Sequence, residues 1–123
     1  MTPELINKIE KHIGELIKVD NFNDEIRSEG YDSVLLVFSS SDDAKHQDIF
    51  VTEFIDCKSR FKKMRNRSVR FFAIDLNTDF GINLGITTEA IPALLVYPAY
   101  HKTTAIYQYS GKVDGIAMAK FIH

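Results

Sequence analysis

The sequence predicts one α/β domain, a mixed central sheet with helices on both faces, and three observations carry that expectation. Val34-Leu35-Leu36-Val37-Phe38 is apolar at every position, which fits a central strand covered on both sides. Strand and helix signals alternate along most of the chain, and two strand signals then follow closely near the end. The sheet should therefore start parallel and finish antiparallel. The 123 residues, 45% hydrophobic, suffice for one core without a metal or disulfide staple.

Each element has its own signal. Thr2-Pro3-Glu4 is a helix start, with a capping hydroxyl, a proline suited to the first helical position and a carboxylate at the positive end of the dipole. Leu5, Ile6, Ile9 and Ile13 then form one apolar stripe, and Gly14 is the stop. Leu16–Val19 reads as a short strand. Asn21 or Asn23 caps a brief helix through Ile26 that Gly30 ends. The clearest strand is Ser33–Ser39, followed by capping groups at Ser40–Asp43 and a long amphipathic helix. Ile49, Phe50, Phe54, Cys57 and Phe61 are assigned to its inner face, and its basic end from Lys58 to Arg65 complements the negative end of the dipole. Val69–Leu76 is a second buried strand, and Asn77–Gly85 is short and helical or irregular. Ala93–Tyr97 and Thr103–Tyr109 form a hairpin through Pro98–Lys102. Ser110-Gly111 turns the chain into a closing helix, Val113–Ile122, with Ile116, Met118, Ala119 and Ile122 on its apolar side.

Composition excludes several classes of function. The single cysteine forbids an intrachain disulfide, a dithiol redox centre and a four-thiolate zinc site. No apolar stretch approaches the ~20 residues of a membrane span, and Met1–Glu10 is too charged for a signal peptide. Charge is unevenly spread: residues 1–56 hold 5 basic and 13 acidic side chains, whereas residues 57–123 hold 10 and 4. Seven cations fall between Lys58 and Arg70. The total charge of −2 argues against a nucleic-acid partner, and the basic run reads as a solvated helix end and loop, with an acidic partner protein, an anionic membrane surface or, last, RNA as the alternatives. Asn66-Arg67-Ser68 is a glycosylation sequon on that loop.

Three stretches resemble the thioredoxin-like domains of protein disulfide isomerases. Val34–Phe38 looks like the family strand that runs into the CxxC site, and Val69–Asp75 resembles the strand that ends in Asp. Ile86-Thr87-Thr88-Glu89-Ala90-Ile91-Pro92-Ala93-Leu94-Leu95-Val96-Tyr97-Pro98, continuing through Tyr109-Ser110-Gly111-Lys112, is similar to the family's cis-proline strand and its Tyr-x-Gly-x-Arg turn. The resemblance spans about residues 17–122. It implies a thioredoxin-like fold over residues 15–123, with residues 1–14 an extra N-terminal helix or the end of a preceding domain. It also implies that Pro92 is the cis-proline whose loop faces the active site.

The departures from the family set the functional expectation. Asp43 and His46 stand at the positions of the two catalytic thiols, and neither carboxylate nor imidazole can replace a thiolate in disulfide exchange. The family's buried Glu aligns with Val37 and its facing Lys with Ala73. Cys57 lies late on the inner stripe of the long helix and reads as packing. Asp42, Asp43 and His46 read as helix-start chemistry rather than a metal site, and His12, His101 and His123 show no ligand spacing. Ser39, Ser40 and Ser41 read as caps rather than nucleophiles.

The resemblance therefore implies a redox-inactive domain with no catalytic residue, metal or cofactor. Its expected role is to bind extended polypeptide, or to act as a structural module, in protein folding in the endoplasmic reticulum lumen. Ser40, Ser41, Asp42, Ile91 and Pro92 are the expected binding residues, with the Gly85–Thr88 loop beside them. Sister thioredoxin domains in a longer chain are the expected neighbours. Two alternatives stand beside this reading. One is a thioredoxin-fold enzyme using a single thiol or a serine, of the glutathione-dependent type. The other is a cytosolic thioredoxin-like scaffold.

Overall fold

The computed structural model describes residues 3–26, 31–39, 44–61, 69–76, 91–99 and 107–122. Helix α1 (Pro3–His12) is followed by a 3-10 turn (Val19–Asn21), α2 (Phe22–Ile26), β1 (Asp32–Phe38), α3 (Ala44–Phe61), β2 (Val69–Asp75), β3 (Ala93–Tyr97), β4 (Tyr107–Gln108) and α4 (Gly115–Ile122). The sheet order is β2-β1-β3-β4. β1 and β2 are parallel, joined by a segment that contains α3, while β3 and β4 are antiparallel to their neighbours. The predicted mixed sheet is thus present.

β1 is buried at all seven positions because both of its faces are covered. Val34, Leu36 and Phe38 pack beneath α1, α3 and α4. Leu35 and Val37 pack on the other face with Ile17 and with Phe22 and Ile26 around α2. Two layers of helix on one continuous apolar strand account for the run that is the strongest signal in the sequence.

α3 buries Phe50, Val51, Phe54, Cys57 and Phe61. Ile49, expected on this face, is 58% exposed, because a 100° step per residue turns it away from the row that Phe50 and Phe54 define. Phe71 of β2 meets Phe54 and Phe61 with ring centroids 5.8 and 5.6 Å apart, which fixes α3 over β2.

α1 is part of the same core. Leu5 and Ile9 are buried with α3 residues, and burying each such side chain contributes roughly 1.5–3 kcal/mol. Lys8 Nζ lies 3.0 Å from Asp48 Oδ1 and donates to Thr52 Oγ1, while Lys58 Nζ donates to the His12 carbonyl. The last contact satisfies a carbonyl at the helix end with a cation. Gly14 follows with φ at 127°, a backbone conformation that side chains oppose.

Three expected elements differ in detail. Leu16–Val19 is not an assigned strand: Ile17 N–H donates to Ala73 O, and the chain then enters the 3-10 turn. Asn21 acts in that turn, its Oδ1 accepting the Lys18 N–H at 2.8 Å. α4 begins at Gly115 rather than Val113, and its buried row is Gly115, Met118 and Ile122. That row leaves Ile116 46% exposed. Gly115 N–H donates to Glu53 Oε1, so a carboxylate from α3 caps α4. Asn77–Gly85, the Gly85–Thr88 loop, Gly30, His101, His123 and the Asn66 sequon lie outside the described residues.

The Tyr109–Gly111 spacing has a local cause. The Tyr109 hydroxyl donates to the Lys112 carbonyl, folding the ring over the turn, and a Cβ on Gly111 would fall 2.7 Å from Tyr109 Oη.

Candidate functional site

The carboxyl ends of β1 and β2, the start of β3 and the start of α3 converge at one end of the sheet. In open α/β sheets this end is where strands leave room for ligands. Phe38 pairs with Asp75, and Leu76 N–H donates to Phe38 O at 2.9 Å. On the other side Val37 pairs with Ala93. Continued for one and then two residues, that register sets Pro92 beside Phe38 and Ile91 beside Ser39. Ile91 and Pro92 are half-buried, and the peptide bond between them is cis.

Ser39 is held by a residue that the sequence reading did not single out. Gln47, in the first turn of α3, accepts the Ser39 N–H through Oε1 at 2.8 Å and donates from Nε2 to the Ser39 carbonyl at 2.7 Å. The side-chain amide thus copies the pairing of a neighbouring strand and spans the two ends of the segment 40–43. Gln47 is 1% exposed, and Ser39 and Asp75, the register partner of Phe38, are also buried. A usable signal was available: position 47 falls on the inner row of α3, three residues before Phe50, and a polar residue there needs a buried partner.

The expected binding residues divide accordingly. The structure brings Ile91 and Pro92 to the clamped end of β1. Ser40, Ser41, Asp42 and Asp43 lie outside the described residues. His46 is a position in the first turn of α3, and its side chain is likewise outside the described set.

The chemistry open to this end is limited by where the thiol is. Cys57 is the chain's one cysteine, thirteen residues along α3 from Ala44, or about 20 Å at 1.5 Å per residue. It is fully buried. Burial, with the charge of Asp56 adding and that of Arg60 opposing, pushes its thiol from 9.0 up to about 12. A thiol so protonated is a poor nucleophile and leaving group at neutral pH. Among the described residues no group of three or more His, Cys, Asp or Glu side chains is arranged to hold a metal. No described helix is long and apolar enough to cross a membrane.

The apolar residues aligned with the family's buried Glu and Lys do not oppose each other. Val37 is in register with Ile74, and Ala73 packs on the opposite face of the sheet. Strand parity requires this, since residues paired one step apart point to different layers.

No protein family and no curated protein matches the chain by sequence. Solved structures do resemble it. The J-Trx1 fragment of ERdj5 superposes with a TM-score of 0.66 at 14% identity, over 92% of this chain and 50% of that one. The Trx4 domain of ERdj5 gives 0.66 at 17% identity, over 86% and 89%. The first thioredoxin domain of mouse protein disulfide-isomerase A4 gives 0.68 at 12% identity, over 87% and 71%. The chain spans half the length of the first of these and 15% of full-length ERdj5. At these identities the likeness is one of fold: the chain has a thioredoxin-like fold.

Proposed function

We propose that this chain is a redox-inactive thioredoxin-like domain of a protein-disulfide-isomerase-like protein, and that it binds extended polypeptide during protein folding. The observation that carries the reading is the separation of thiol from site. The fold's ligand-facing end is assembled from Ser39, Gln47, Ile91 and Pro92, while Cys57 is buried far along α3. Binding then rests on the strand-end backbone and the half-buried Ile91–Pro92 ledge. The alternative of single-thiol chemistry has to use a thiol pushed up to about 12, which favours the binding reading.

The likeness to thioredoxin domains of ERdj5 and of a protein disulfide-isomerase supports sister thioredoxin domains as neighbours, and with the motif resemblance it supports the endoplasmic reticulum lumen. Ser40, Ser41 and Asp42 would complete the peptide-facing surface beside Ile91 and Pro92.

Insulin reduction by dithiothreitol tests the redox half of the proposal. The chain should leave the rate of insulin precipitation at the dithiothreitol-only value. Acceleration comparable to that by a CxxC thioredoxin would overturn it.

A further inference from the structure

We propose that the outer edge of β2, at Val69 and Phe71, receives an extended acidic polypeptide segment as an added strand. This surface is separate from the Ile91–Pro92 end, and the proposal does not depend on peptide binding there.

The edge follows from strand parity. Among the described residues β2 is the outermost strand on its side of the sheet. Leu76 N–H turns towards β1 to reach Phe38 O, whereas Ala73 O turns outwards to accept Ile17 N–H. Alternate residues share a direction, so the backbone groups of Phe71 and Val69 also face outwards. Ile17 covers Ala73. Phe71 and Val69 lie two and four residues upstream, roughly 7 and 13 Å away at 3.3 Å per residue. Among the described residues no backbone hydrogen bond reaches those outward groups.

A groove of about 330 Å³ runs beside this part of the strand, lined by Lys58, Phe61, Val69, Arg70, Phe71 and Phe72. Phe61 and Phe71 give it apolar walls suited to alternate side chains of an incoming strand. Among the described residues its charges are Lys58, which donates to the His12 carbonyl, and Arg70, whose guanidinium lies 4.4 Å from the centre of the Tyr31 ring. Both are positive, within the half of the chain that carries the net positive charge. An acidic partner complements them. A row of outward N–H and C=O groups pairs with another polypeptide backbone, which favours a peptide over a nucleic acid. Basic residues on an edge can also serve to repel strands, and the test separates the two roles.

The full chain, labelled with ¹⁵N, is titrated at low salt with a capped nonapeptide of alternating Glu and Val. Parallel titrations use the same peptide with Lys for Glu, a version N-methylated at alternate residues, and an oligothymidine. The expected result is saturable shifts at the Val69, Arg70 and Phe71 amides, with at least tenfold weaker binding of the lysine and N-methylated peptides. Val69→Pro removes one outward N–H at the first residue of the strand, where proline is tolerated, and Arg70→Glu reverses an exposed charge. Each should weaken the acidic peptide at least tenfold while shifts far from β2 stay unchanged. If either variant fails to fold, the N-methylated peptide makes the same distinction on the native chain. No shift on β2, equal binding of the lysine peptide, shifts confined to Ile91–Ala93, or binding of the oligothymidine alone would each overturn the proposal.

Discussion

Gln47 and Ser39 are joined by two hydrogen bonds, Ser39 N–H to Oε1 at 2.8 Å and Nε2 to the Ser39 carbonyl at 2.7 Å, with both residues buried. The pair ties the end of the central strand to the first turn of α3. It therefore sets where the intervening segment, and the expected binding residues on it, leave and rejoin the framework.

Truncating that amide should be costly. Gln47→Ala removes both hydrogen bonds that the amide makes to the buried Ser39 backbone, and each such loss costs about 1–3 kcal/mol. A combined destabilisation of roughly 2–5 kcal/mol is expected in urea denaturation. Gln47→Leu, which fills the space but makes no hydrogen bond, should recover little of it. Full recovery by leucine would mean that packing, not the amide, holds the strand end.

The pH dependence of stability should expose Cys57. Its thiol stays protonated in the fold up to about 12, while the ordinary value is 9.0. Below pH 9 both states are protonated and the contribution is complete. As pH rises from 9 towards 12 the unfolded chain releases the proton and the folded chain does not, so stability falls. Cys57→Ala should lose stability at neutral pH and lack this alkaline decline. The advantage of wild type over the variant should therefore narrow above pH 9 in denaturant titrations. A thiol reagent should label the native chain slowly and the denatured chain fast.

The contact between α3 and α4 makes a prediction opposite to helix propensity. A Cβ on Gly115 would lie 3.0 Å from Asp56 Cβ and nearer still to its carboxylate. Gly115→Ala should therefore destabilise by about 1–3 kcal/mol, although alanine favours helices. Adding Asp56→Ala, which removes the carboxylate but keeps the Cβ, should restore part of the loss. A double-mutant cycle with no coupling would contradict the close approach.

The N-terminal helix is expected to be indispensable for stability. Ile9 is fully buried and Leu5 nearly so, and Ile9→Ala should cost about 2–5 kcal/mol. A chain lacking residues 1–14 should show a lower melting temperature or fail to fold. An unchanged melting curve would mean that α1 rests on the domain without supporting it.

What was legible in the sequence follows from periodicity. β1 was readable because a strand covered on both faces is apolar without interruption, and α3 because Phe50, Phe54, Cys57 and Phe61 repeat at three and four. Ile49 and Ile116 misled because hydrophobicity alone does not state direction, and each lies one residue off a buried row. The Gln47–Ser39 clamp was only half legible: a polar residue on the inner row of α3 calls for a buried partner but does not say which. Its partner is a backbone that carries no sequence signature. The Tyr109–Gly111 contact, in contrast, was visible as a motif before its cause was, which is a ring folded over a residue that has no room for a side chain.

We propose a thioredoxin-like fold whose strand end binds polypeptide without thiol chemistry. The most direct measurement is an amide-resolved NMR titration of the ¹⁵N-labelled chain with reduced, alkylated insulin B chain. Saturable shifts are expected at the Ser39, Ile91 and Ala93 amides. A saturated complex whose shifts spare all three of these amides, or no binding at millimolar peptide, would contradict it.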